Sequence, residues 1–215
     1  SADVSINDVT ANTAAYIADG VTVSSATAAD LDATNTLALS ALSGAVTIST
    51  QQSGNALAGS YAQNSLAGIT AAYADDATLT LSGPLTADAK TTGTIETLSA
   101  SVAGTKGKVG VAGSVSINAI DNATKTYLSN VLLTGVSTVG LTALDDSTIR
   151  AIAGAIAFGG KAGIGLSFSW NQLDNDTESW IANSDVDATG LVSVAATTDN
   201  SIDTISAAIG ASKGP

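Results

Sequence analysis

The side chains able to do chemistry in this sequence are almost all carboxylates, hydroxyls and amides. His and Cys are absent, which removes the usual proton carrier near neutrality and the thiolate nucleophile together. A Ser nucleophile would have no His to activate it. Paired acids remain, at Asp75-Asp76, Asp145-Asp146, and Asp174 with Asp176. Carboxylates this close can hold calcium or act as the acid and base of a glycosidase. Solvated turns also explain them, and that plainer reading carries more weight. The metal candidates narrow to Asp121, Asp174 and Asp176, in the phrases IDNAT and LDNDT. The matching phrases VTANT and LAGIT earlier in the chain lack these acids, so such a site would serve only half of the sequence. No catalytic residue and no cofactor are expected, calcium at these acids being the one candidate.

Three further groups have both a chemical and a structural reading. Asn122-Ala123-Thr124 and Asn175-Asp176-Thr177 match the glycosylation sequon, but the Thr recurs where the Asn does not. Lys106, Lys108, Lys161 and Lys213 could be nucleophiles or isopeptide donors; their place beside Gly reads more simply as an exposed turn that discourages edge pairing. Tyr16, Tyr73, Tyr127 and Trp180 could stack on sugar rings if they face outward, or fill the core if they face inward. The core reading is preferred.

These residues recur because the sequence is a repeat. An anchor Asn stands at Asn7, Asn64, Asn118 and Asn171, at spacings of 57, 54 and 53 residues. Two positions on is apolar (Val9, Leu66, Ile120, Leu173), and six on is Thr (Thr13, Thr70, Thr124, Thr177). Nine on is the aromatic column, and twelve on is Asp19, Asp76, Asn130 or Asn183. Four approximate units result, 1–55, 56–108, 109–161 and 162–215, read as one array cut from a longer one.

The units open with strand patterning. Ala162, Ile164, Leu166, Phe168 and Trp170 alternate with Gly163, Gly165, Ser167, Ser169 and Asn171, and the bulky set is expected on the buried face. Later in each unit comes an apolar set such as Ile149, Ile152 and Ile156. Its spacing of three and four suits a helix, while nearby Gly and the strand that follows suit a strand, with a bulge to change face. The whole reads as all-β: a parallel β-solenoid of four repeats of 53–57 residues, with a short helical or bulged segment in each repeat held open. Its Asn columns are expected to stack as structural ladders.

Composition agrees with a narrow interior. Apolar residues make up 45% of the chain, yet there are only two Phe, two Trp and four Tyr, with 21 Gly, so backbone layers must lie close. The net charge of −12 disfavours nucleic acid and anionic lipid. No run of about 18 apolar residues is present, and direct membrane insertion is not expected.

The phrases VSINAIDNATKTYLSN, STIRAIAGAIAFGGKAGIG and GLVSVAATTDNSIDTISAAIGASKG resemble the repeats of giant bacterial surface exoproteins, adhesins of the filamentous-haemagglutinin or autotransporter-passenger type. The resemblance spans nearly the whole chain, in style and spacing. It implies a β-solenoid exported to the bacterial cell surface, acting as an extended stalk or adhesion surface. Its partners would be adjacent repeats, other copies, or cell-surface glycan or protein. A self-assembling filament, sheath or surface-layer subunit is the alternative, and a β-helical polysaccharide-active enzyme a remote one.

Overall fold

Each repeat supplies two long alternating runs, and in the computed structural model each repeat closes into one rung of a parallel β-solenoid. The structure describes residues 1–214. Rung one is β1 (Ala2–Ile17), β2 (Thr22–Ala26) and β3 (Ala29–Ser49). Rung two is β4 (Ala56–Leu81) and β5 (Leu85–Thr105), and rung three is β6 (Val109–Val136) and β7 (Val139–Gly159). Rung four is β8 (Ala162–Leu173), β9 (Asp176–Ala182), β10 (Asp185–Ala188) and β11 (Val192–Ser212).

The first sheet runs β1-β4-β6, with β2 beside β4 and with β8, β9 and β10 beside β6. The second runs β3-β5-β7-β11. Every pairing is parallel, and Asn7, Asn64, Asn118 and Asn171 are direct register partners. One repeat is therefore one rung. A 21-residue strand such as β7 extends about 70 Å, while four rungs span only about 14 Å between outer strand axes. The four rungs form a thin plate that is longer along its strands than along its stack.

Asp19, Asp76, Asn130 and Asn183 all have positive φ, between 50° and 63°. Asp and Asn reach this left-handed region at less cost than other side chains, which accounts for the column. The kink also resets which residues point inward. In β6 Leu128 is buried before it, and Val131 and Leu133 after it, so a strand that would have turned outward stays in register with the core.

The interior between the sheets is zoned. Near the turn joining first sheet to second, Leu79, Leu81, Leu85, Leu128, Leu133 and Leu141 form a wide aliphatic core. The middle holds Leu39, Leu66, Ile95, Ile120 and Ile149. Near the Gly/Lys turn the core is alanine alone: Ala45, Ala56, Ala58, Ala103, Ala112, Ala155 and Ala157. The plate thus tapers from Leu to Ala, and at the thin edge a Cβ on Gly110 would strike the carbonyl oxygen of Phe158.

Two expectations are corrected by this taper. In the opening strands the small residues Gly110, Ala112, Ser114, Ser116 and Asn118 face in, whereas Ile164, Leu166, Phe168 and Trp170 are exposed. Alternation defines two faces; which one is inside is decided here by how closely two backbones approach, and only small side chains fit. The helical reading of Ile149, Ile152 and Ile156 also fails. β7 pairs with β5 and β11 through that segment without a register shift, so no bulge lies there either. Ile149 is buried while Ile152 and Ile156 face out, and the three-residue step is simply a change of face. The register irregularities lie at Val23–Ala26 and Val186–Ala188 instead.

Candidate functional site

The anchor Asn residues, placed in mid-strand, form a continuous amide ladder inside the plate. Asn7 Nδ2 donates to Asn64 Oδ1 at 2.9 Å, Asn64 Nδ2 to Asn118 Oδ1 at 2.8 Å, and Asn118 Nδ2 to Asn171 Oδ1 at 2.7 Å. Thr97 of the facing sheet accepts from Asn64 and donates to Asn118, cross-linking the two sheets. Asn64 and Asn118 are buried, so the ladder satisfies amides that would otherwise be costly to bury.

A second polar layer is built by the Thr column. Thr124 donates to Thr91 at 2.6 Å, and Thr91 to Thr70 at 2.8 Å. Asp145 is enclosed beside them, accepting from Asn175 at 2.6 Å, Ser147 at 2.8 Å and Thr124 at 3.4 Å. Desolvation raises its pKa above the usual Asp value, and those three hydrogen bonds pull the other way. Asn122 Oδ1, in the same layer, is buried without a partner.

The aromatic column lies on the outer face of the first sheet. Ring centroids of Tyr16 and Tyr73 are 5.3 Å apart, Tyr73 and Tyr127 4.6 Å, and Tyr127 and Trp180 4.5 Å, with planes within 9° of parallel. Tyr16 is 57% exposed and the inner rings are half-buried, so the column does not fill the core. Nor can Tyr73 and Tyr127 stack on sugar rings, because both faces of each ring already meet a neighbour. Only ring edges and hydroxyls are presented along the column. Desolvation, with the negative groups around them, raises the pKa of Tyr73 and of Tyr127.

The remaining candidates separate. Asp145 is buried and Asp146 exposed, so this pair shares no face. Asp176 is bound by Lys125 at 2.9 Å, and Lys125 also meets Glu178 at 3.1 Å, which raises the lysine pKa. Asp121 and Asp174 lie exposed on adjoining rungs. Among the described residues these acids do not form a group of three that could hold a metal ion. Asn122 is fully buried and is no glycan acceptor, while Asn175 is engaged with Asp145 and Asn200. Lys106, Lys161 and Lys213 line an open groove of about 920 Å³ at the thin edge, together with Phe158.

Sequence reasoning missed the outward apolar faces at that edge. The signal was present in the Gly, Ala and Ser set of each opening strand, read as the solvent side because it was the less hydrophobic one. No protein-family model, characterised protein or solved structure matches the chain.

Proposed function

We propose that this chain is a structural and adhesive repeat module of a bacterial cell-surface protein, exported and non-enzymatic, serving as an extended scaffold or adhesion surface. The observation that supports this best is the register itself. The same Asn, Thr, aromatic and left-handed positions recur in four successive rungs, so the architecture lengthens by copying rungs and each copy adds the same outer rows. Parallel stacking with interior amide ladders gives a mechanically stiff body, suited to holding a binding region away from a surface. The test is labelling of intact producing cells with antibody against this chain, before and after protease shaving. Surface label that shaving removes, with loss of cell attachment to its substratum, is the expected result. Label found only after lysis overturns it.

A second reading, a filament or sheath subunit, is favoured by the polarity of the Asn ladder. Each Nδ2 donates toward the next rung, so the acceptor of Asn7 faces one end. At the other, Asn171 Nδ2, which donates to Ser169 and Thr204 of its own rung, would exchange one of those bonds for the Asn7 acceptor of a following copy. Negative-stain microscopy tests this. Filaments whose length rises with concentration would support it, and isolated plates at every concentration would eliminate it.

A further inference from the structure

The thin edge carries an apolar face that none of the described residues covers. On the outside of the first sheet, Val4, Tyr61, Val115 and Phe168 form one row, and Ile6, Gln63, Ile117 and Trp170 the next. Leu57, Val111 and Ile164 add a third. Leu166 is 63% exposed, Phe168 56% and Trp170 48%. A scatter of single apolar residues would be unremarked, but contiguous rows of this kind mark a contact surface.

The charges bordering the face indicate what sits on it. At the turn rim stand the exposed Lys108 and Lys161, and neither forms an ion pair among the described residues. At the inner border of the same rungs stand the exposed Asp121 and Asp174. From Glu96 to Asp121, and from Asp146 to Asp174, no acid intervenes in the sequence. The face is thus apolar in the middle, basic along one border and acidic along the other. Such a surface complements itself when a copy is turned by a two-fold axis parallel to the stack of rungs. That rotation reverses strand direction but keeps rung order, so Lys161 meets Asp174 and Lys108 meets Asp121. Phe168 and Val115 fall near the axis.

The outer face of the second sheet is also apolar, with Leu98, Ile152 and Phe158 exposed. Its inner border is the column Glu96, Arg150 and Asp203, however, in which Arg150 meets Glu96 at 3.3 Å and Asp203 at 4.0 Å. Those charges already satisfy one another within the chain. The borders of the first-sheet face instead hold Lys108 and Lys161, unpaired among the described residues, opposite Asp121 and Asp174, so the first sheet is the face that offers charge to a second copy. Ten residues of strand and four rungs give a footprint of roughly 600 Å² per copy. Two copies then bury roughly 1,200 Å², above the ~1,000 Å² expected of a specific interface.

We propose that the outer face of the first sheet, from the Lys108–Lys161 rim to Asp121 and Asp174, is an isologous interface with a second copy of this chain. The pairing is lateral, sheet face against sheet face, and does not depend on the adhesive role or on end-to-end growth.

Sedimentation equilibrium of the whole chain, with Trp180→Phe as background so that Trp170 is the sole tryptophan, tests it. A dimer is expected, with Trp170 emission moving to the blue as concentration rises. Lys161→Glu and Asp174→Lys should each weaken the dimer about tenfold or more. Their combination should restore it to within about twofold, because the carboxylate introduced at position 161 then faces the ammonium introduced at position 174 of the other copy. Phe168→Glu should give a monomer whose circular dichroism still reports β-sheet. Four results overturn the proposal: a monomer at all concentrations, a double variant as weak as its parents, a dimer indifferent to Phe168, or a monomer whose Trp170 shifts only on adding anionic phospholipid vesicles. The last would assign the face to a lipid surface instead.

Discussion

Asn64 donates from Nδ2 to Oδ1 of Asn118 across 2.8 Å, though 54 residues separate them in the chain. Each is a member of the same column one rung apart, and each is bonded to Thr97 of the opposite sheet. The pair therefore ties rung to rung and sheet to sheet at one point.

Asn118→Ala is expected to be the most damaging single truncation of this ladder. It removes the acceptor for Asn64 and Thr97 and the donor to Asn171 and Ser116. Buried polar groups left without partners cost about 1–3 kcal/mol each, so a loss of about 2–4 kcal/mol is expected. Urea titration followed by circular dichroism measures it, with Asn7→Ala, at the edge rung and half-buried, as the milder comparison. Equal effects at the two positions would mean that the ladder is not the source of the stability.

The ladder also shows what was legible in the sequence and what was not. Column membership was readable, because a parallel solenoid puts like residues in register and selection of a residue type then repeats at the rung spacing. The parallel all-β architecture follows from that recurrence. The inside face was not readable from hydrophobicity, since Ser114, Ser116 and Asn118 are buried while Val115 and Ile117 face out. Sheet separation decides this, and separation is set by Gly and Ala on both sheets at once, a property of no single strand. The aromatic column was recognised as a stack, but its side was inverted with the rest of the strand. Tyr127 stands an odd number of residues after the inward Asn118, so it points out with Val115 and Ile117, and taking the bulky set as the inner face carried the rings inward with it.

Close approach at the thin edge predicts opposite outcomes for two nearby glycines. A Cβ on Gly110 would collide with Phe158 backbone, whereas one on Gly113 meets nothing within 4 Å. Gly110→Ala should cost about 1–3 kcal/mol through forced separation of the sheets. Gly113→Ala should be neutral or stabilise by up to about 1 kcal/mol, since it reduces the freedom of the unfolded chain without strain. Thermal unfolding of the two variants side by side checks this. A destabilised Gly113→Ala with a silent Gly110→Ala would reverse the assignment of inner and outer faces.

Asp145 offers a pH test of the interior. Its carboxyl is fully buried, and desolvation outweighs its three hydrogen bonds, so its pKa in the folded chain lies above the ordinary value. A raised folded pKa means that the folded state holds the proton more tightly than the unfolded one. The stability that this contributes is complete below the unfolded value of about 3.9 and is lost as pH rises through the folded pKa. Asp145→Asn keeps an acceptor for Asn175 and Ser147 and removes the ionisation. It also brings a donor into the layer holding the unpartnered Asn122 Oδ1. Near neutral pH the variant should therefore be the more stable protein, and its advantage should shrink as the solution is acidified toward pH 4. Because the other 18 acids (19 in all, less Asp145) are common to both proteins, general relief of charge repulsion cancels in the difference. Denaturant midpoints of the two proteins, compared pH by pH, provide the measurement. An advantage that grows on acidification would mean that Asp145 is stabilised as a carboxylate by its three donors, the reverse of the balance argued here.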